Sequence, residues 1–276
     1  MAHPQIAVFP RLAEENTPPT RLIAGQKTRL ARTMHDIRYD PVHDEILVTN
    51  PFALALLVFR GGADGEEAPI RVIQGSNTRL SGHGTGGLDR LDVDPVHNEI
   101  FVPNGSSVLV FSRTATGNVA PIRVLEGPDT RLSGTTSLAV DPVNNVLVVL
   151  ESGYFLIFNR TDQGNVKPRA AIAPPSDLSF RGSSQFQLYP PKGWIFVSVQ
   201  SRQQSGDTRH VEFEGAGFGV WSIRDDGQVP PRWLITGPQS LLKRPRGIAL
   251  NPKDKEVYVA EMRQNAILTY FFPEVF

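Results

Sequence analysis

One short phrase returns along this chain, and its spacing limits the fold more than any other feature. Asp40-Pro41-Val42-His43-Asp44-Glu45-Ile46 recurs as Asp94-Pro95-Val96-His97-Asn98-Glu99-Ile100. It weakens to Asp141-Pro142-Val143-Asn144-Asn145-Val146, drifts to Tyr189-Pro190-Pro191-Lys192-Gly193-Trp194-Ile195, and returns as Asn251-Pro252-Lys253-Asp254-Lys255-Glu256-Val257. Each copy sits between two β-rich, alternating stretches, which is the signature of a hairpin. A period of roughly fifty residues running the length of a chain marks a repeat architecture.

Four strand types can be read in each repeat. The first ends in the Pro turn: residues 35–39, 89–93, 136–140, 184–188 and 246–250. The second follows the turn, and the third carries an aromatic near its end. The fourth follows a Gly-bearing turn and usually ends at Gly. No stretch keeps a 3.6-residue apolar period, so no long helix is expected. Four antiparallel strands repeated in this way form a β-propeller. There are five copies of the first three types, so the expectation is one domain, residues 1–276, with five four-stranded blades; six is the alternative. The last repeat lacks a fourth strand. Residues 20–25, a fourth-type strand, are expected to complete it by pairing beside residues 267–270. That leaves residues 6–9, from Ile6 to Phe9, as a spare strand suited to self-association.

The bulk properties mainly exclude. Lys+Arg and Asp+Glu are both 28, which removes any whole-molecule electrostatic case for nucleic acid or an anionic membrane. There is no Cys, hence no disulfide, thiolate metal site or Cys nucleophile. No apolar run approaches the ~20 residues of a membrane span, and no secretory leader is legible.

Two runs carry a family resemblance. They are Val108-Leu109-Val110-Phe111-Ser112-Arg113-Thr114-Ala115-Thr116-Gly117-Asn118-Val119-Ala120-Pro121-Ile122-Arg123 and Gly127-Pro128-Asp129-Thr130-Arg131-Leu132. With Gly247-Ile248-Ala249-Leu250-Asn251 and Val257-Tyr258-Val259-Ala260-Glu261, the chain resembles bacterial NHL-type propellers over nearly its whole length. That group includes interaction modules, lyases and lactone hydrolases, so the resemblance speaks for fold and hardly for activity. Export of many members implies a periplasmic or secreted location.

In a propeller the first strands line the channel, and loops converge on its mouth. Alignment on the turn Pro places His35, Asp89, Thr136, Ser184 and Arg246 at equivalent inner positions: all polar, all different. After the second strand come Asn50, Asn104, Glu151, Ser201 and Glu261. The candidate ligand set is therefore His35, Asp89, Arg246, Glu151 and Glu261, with Arg209 and His210 from an insertion, residues 201–217, in the fourth repeat. The competing reading is a wet channel whose polar groups only satisfy one another. Three Thr-Arg-Leu copies (Thr28-Arg29-Leu30, Thr78-Arg79-Leu80, Thr130-Arg131-Leu132) offer Thr hydroxyls to turn backbone and Leu as wedges, with Arg as a basic rim or as solvation. The Gly82-His83-Gly84-Thr85-Gly86-Gly87 run precedes a strand rather than a helix, so it is no phosphate cradle. No metal-ligand spacing is present, although a divalent ion gathered from several blades stays open.

Two functions remain. The favoured one is a non-enzymatic binding or structural module, using the channel mouth to recognise a protein, glycan or small ligand. The alternative is a lyase or hydrolase at the same mouth, with or without a metal ion, using His35 or His210 as base and Arg246 as anion clamp. No Ser-His-Asp set or Gly-x-Ser-x-Gly elbow supports the second.

Overall fold

A computed structural model describes residues 4–31, 36–82, 88–180, 185–201 and 215–276. The chain is all-β, a five-bladed β-propeller, and it divides into two compact units, Met1–Val124 and Leu125–Phe276. The first unit holds β1 (Gln5–Val8) and β2 (Arg21–Ala24), then β3 (Ile37–Asp40), β4 (Glu45–Asn50), β5 (Ala55–Arg60) and β6 (Arg71–Gln74). It continues with β7 (Asp92–Asp94), β8 (Glu99–Asn104), β9 (Ser107–Ser112) and β10 (Arg123–Glu126), the last running across the boundary. Blades one and two are the sheets β3-β4-β5-β6 and β7-β8-β9-β10.

The second unit holds β11 (Thr135–Asp141), β12 (Val146–Glu151), β13 (Tyr154–Asn159) and β14 (Ala170–Ala173) as blade three. Blade four has a two-residue strand, β15 (Leu178–Ser179), and β16 (Phe186–Tyr189), both paired with β17 (Trp194–Ser201), followed by β18 (Gly217–Ser222). A short β19 (Gly227–Gln228) leads to its outer strand β20 (Trp233–Thr236). Blade five is β21 (Pro245–Asn251), β22 (Glu256–Glu261) and β23 (Ala266–Phe271). The only helices among the described residues are single 3-10 turns, and none is long or apolar enough to cross a membrane.

The recurring phrase is a turn with its own chemistry. Asp40 is fully buried; its Oδ1 accepts the Val42 and His43 N–H groups, and its Oδ2 meets His43 Nδ1 at 2.7 Å. Asp94 repeats every one of these contacts with Val96 and His97, and Asp141 accepts the Asn144 N–H and side-chain amide in the same way. Pro presets the turn, and the residue before the second strand (Asp44, Asn98, Asn145, Lys255) takes a positive φ of 53–59°, which Asn and Asp tolerate best.

A second device links successive blades. The Gly after each third strand forms a parallel bridge with the outer strand before it: Gly65 with Ile23, Gly117 with Ile73, Gly164 with Leu125 and Gly227 with Ile172. The neighbouring Asn118 and Asn165 accept the Asn77 and Asp129 N–H groups at 2.7 Å. The Gly-Asn pair of the sequence is thus a staple between blades. Packing follows the same order. In the first unit, Leu47, Leu56 and Val58 of blade one share a core with Leu91, Val93 and Ile100 of blade two. In the second, Phe155 of blade three packs on Phe180 and Phe186, with ring centroids 4.7 and 4.8 Å apart.

The expected closure would join residues 20–25, in the first unit, to residues 267–270, in the second. Within the first unit β2 pairs with β1 in a two-stranded sheet, and within the second the strands of blade five form a three-stranded sheet. A staple holds β2 as well: Ala24 N–H donates to Gly65 O and Gly65 N–H donates to Leu22 O, so β2 serves as the outer strand of a half-blade preceding blade one. Ile6 and Ile23 cover Val48, Ala55, Leu57 and Phe59 of that blade. Residues 5–8 pair with β2 along one edge, and Ile6 is 8% exposed.

Candidate functional site

The ends of the second strands are built from carboxylates and amides turned toward the backbone of the loop that leads into the same blade. Glu151, 4% exposed at the end of β12, accepts N–H groups from Ser133 and Gly134 and hydroxyls from Ser133, Thr135 and Ser152 at 2.8–3.2 Å. Glu261, 1% exposed at the end of β22, accepts the Lys243, Arg244 and Arg263 N–H groups at 2.8–2.9 Å. Asn104 does the same for Ser81, and Asn50 bonds Arg29 O and Ala53 N–H. Both glutamates, which the sequence offers as ligand contacts, clamp the backbone of these loops. A carboxylate that already accepts this many hydrogen bonds has few lone pairs left for a further partner.

The Thr-Arg-Leu copies belong to the same loops. Thr28, Thr78 and Thr130 are buried; each hydroxyl donates to the Gly three residues earlier and accepts the N–H two residues later. Ser240 takes this place in the loop leading into blade five. Leu80 and Leu132 are 7% exposed, as wedges should be, while the Arg between them is exposed in a left-handed conformation.

At the first strands the register expected from the turn Pro lands on an irregular position. Thr136 and Arg246 fall at breaks in the pairing, between Thr135 and Ser137 and between Pro245 and Gly247. A bulge adds one residue and re-aims side chains. Thr136 accordingly bonds Leu150 O in its own sheet, and Arg246 is half-buried. Asp89 is 9% exposed and belongs to the first unit, Arg246 to the second. His35, His83, Ser184, Arg209 and His210 lie outside the described residues, as does most of the insertion at 201–217.

The first unit holds a charged cluster that the sequence reading missed apart from Asp89. Asp36, Arg38, Asp89 and Arg90 are all under 10% exposed, with Asp92 beside them. Asp36 Oδ2 accepts the Leu91 N–H at 3.0 Å, tying β3 to the start of β7. Arg38 lies 3.5 Å from Asp36 and 3.1 Å from Asp92, and Arg90 lies 3.1 Å from Asp89. Arg38 Nη2 is buried with no hydrogen-bond partner among the described residues. Burial pulls the Arg38 guanidinium down, but Asp36 and Asp92 more than offset it and the pKa rises. For Arg90 burial prevails over Asp89 and Asp36, and the pKa falls. The signal available in the sequence was a charge at every second residue, Asp36-x-Arg38-x-Asp40 and Arg90-x-Asp92-x-Asp94. Chemically the cluster offers guanidinium donors held among carboxylates. Among the described residues no group of three or more His, Asp or Glu is placed to hold a metal ion.

No protein-family model matches the sequence, and no curated protein matches it. Solved structures do match in shape. Kuenenia stuttgartiensis hydrazine synthase aligns with a TM-score of 0.56 at 11% identity over 88% of this chain and 78% of that one. A Bacteroides uniformis protein provisionally assigned as a 6-phosphogluconolactonase aligns at 0.54 and 19% identity, over 87% of this chain and 66% of that one. A Desulfotomaculum acetoxidans protein of unknown function aligns at 0.52 and 12% identity, over 87% and 68%. At these identities the likeness speaks for the fold alone: this chain shares the propeller architecture of its structural neighbours.

Proposed function

We propose that the chain is a non-enzymatic binding module whose contact surface includes the first-strand cluster of Asp36, Arg38, Asp89, Arg90 and Asp92. One observation carries this reading. The positions of Asp36 and Arg38 are filled by Ser137 and Ala139 in blade three, Gln185 and Gln187 in blade four, and Gly247 and Ala249 in blade five. The blade does not require charge there. Burying ions costs several kcal/mol each, and pairing them seldom returns more than an apolar core would. A charged cluster with a guanidinium nitrogen unpaired among the described residues, placed where the architecture tolerates neutral residues, is what a recognition surface retains,. Its donors suit a partner presenting oxygen acceptors, such as a carboxylate or a glycan.

The alternative, a lyase or hydrolase at the same end of the blades, draws on the provisional lactonase assignment of one structural neighbour. The saturation of Glu151 and Glu261 weighs against it. Titration of the full chain with a panel of carboxylates, sugar phosphates and oligosaccharides, followed by melting temperature, separates the two. The paired variant Asp89→Asn/Arg90→Gln should keep the fold and lose at least tenfold in affinity for whichever panel member binds. Unchanged affinity removes the cluster from function, and hydrolysis of 6-phosphogluconolactone above the background rate, with or without Mg²⁺, Ca²⁺ or Zn²⁺, favours the enzyme. A periplasmic or secreted setting, drawn from the NHL-like resemblance, is tested by fractionating cells that express the tagged protein.

A further inference from the structure

Five third strands can be aligned through one backbone bond: Gly61, Arg113, Arg160, Ile223 and Phe272 each donate N–H to the turn before the second strand. Three residues earlier stand Val58, Val110, Ile157, Val220 and Thr269. In the first four blades that residue's carbonyl accepts the N–H that opens the fourth strand, from Ile70, Ile122, Arg169 and Arg232, each at 2.8 Å. In blade five, β23 pairs only with β22 among the described residues. Because Phe272 N–H points to β22, the N–H and C=O groups of Ile267, Thr269 and Phe271 point away from it, along the free edge.

The side chains on this strand are as unusual as its backbone. Two residues before the aligned position, Leu56, Val108, Phe155 and Phe218 are at most 1% exposed, whereas Ile267 is 65% exposed. Val58, Val110, Ile157 and Val220 are at most 2% exposed, whereas Thr269 is exposed. Two residues after it, Arg60, Ser112, Asn159 and Ser222 are polar, but blade five has Phe271, 72% exposed. Natural sheets protect such an edge with Lys, Pro or a bulge. The run Ala266-Ile267-Leu268-Thr269-Tyr270-Phe271 has no charge, no Pro and no Gly, and its register with β22 is unbroken. The chain after it turns away: Phe272 and Val275 pack into the core with Phe218 and Phe196.

We propose that β23 is a dimerisation strand, pairing antiparallel with β23 of a second copy of this chain about a two-fold axis at Thr269. The strand is complementary to itself in that register. Thr269 faces the partner's Thr269, and Ile267 faces the partner's Phe271 on both sides of the axis, an aliphatic–aromatic cross-strand pair made twice. The outward groups of these three residues supply about six backbone hydrogen bonds. The closed, isologous contact is the commonest kind of homodimer. Equal numbers of acidic and basic residues in the chain impose no net repulsion between copies,.

The absence of Cys from the sequence makes the register testable. Opposed residues of a hydrogen-bonded antiparallel pair have Cα atoms about 5.5 Å apart, within disulfide reach. The full chain should have the mass of a dimer by light scattering at micromolar concentration. Thr269→Cys should cross-link to a covalent dimer on mild oxidation, while Ile267→Cys, which faces the partner's Phe271, should remain largely uncross-linked. Thr269→Lys sets two like charges face to face and should give a folded monomer with an unchanged melting curve at low protein concentration. A wild-type chain that is monomeric throughout overturns the proposal without recourse to any variant. So does equal cross-linking of the two Cys variants, or a Thr269→Lys protein that stays dimeric.

Discussion

Truncating Glu151 to Ala tests the reading of the second-strand ends as clamps. The carboxylate holds two backbone N–H groups, of Ser133 and Gly134, and three hydroxyls. Hydroxyls rotate toward other acceptors, and Ser133 is exposed enough for water to reach its amide. The half-buried Gly134 amide and the loss of charge-assisted bonds make up most of the cost. An orphaned donor costs ~1–3 kcal/mol and bonds to a charged acceptor are worth ~1.5–3 kcal/mol, so the expected loss is about 3 kcal/mol. For a chain of this size that lowers the melting temperature by roughly 6–12 °C. Glu151→Gln keeps one acceptor oxygen but turns an NH2 toward N–H donors, and should lose about half as much. Scanning calorimetry at neutral pH gives both numbers. A Glu151→Ala protein melting within about a degree of wild type would refute the clamp. So would a gain in stability in either variant, since that is the behaviour of a strained functional carboxylate.

Glu45 receives Arg71 at 2.5 Å and Arg113 at 2.7 Å; although burial raises its pKa, the two guanidiniums prevail and hold it below the usual carboxylate value. Its contribution is present above the unfolded pKa and is lost as pH falls through the lower folded one, so Glu45→Gln should cost about 3 kcal/mol at pH 7, with the gap to wild type closing below about pH 4.5 in urea titrations. Leu241 is 57% exposed with φ 61°. Leu241→Gly removes backbone strain of ~1–3 kcal/mol against a glycine entropy cost of ~0.5–1 kcal/mol, so it should raise the denaturation midpoint; a lowered midpoint contradicts the assignment.

The blades were legible because their turns are chemical rather than statistical. An Asp that must accept three bonds, a Pro after it and an Asn or Asp in a left-handed position leave a phrase that survives drift. The setting of the first strand pair was not legible. Gln5-Ile6-Ala7-Val8 satisfies the third-strand pattern, but what holds its partner β2 against blade one is a staple from Gly65, some forty residues away. Parity along the first strands was not legible either: the pairing skips Thr136 in blade three and Arg246 in blade five, and a sequence gives no sign of such a bulge,. Residue type also gives no warning that the carboxylates of Glu151 and Glu261 accept backbone N–H groups of the loop leading into their own blade.

The staples also give the chain a direction in time. An outer strand cannot be fully bonded when it emerges from a ribosome, because the glycine that completes it arrives some forty residues later: Gly117 for Ile73, Gly164 for Leu125. Each blade therefore waits on its successor, and structure propagates from the amino end as a series of short-range closures rather than by one long search. Native-state hydrogen exchange should preserve that history. Loosening a glycine turn would release the amides of the blade before it while leaving the blade that carries it protected.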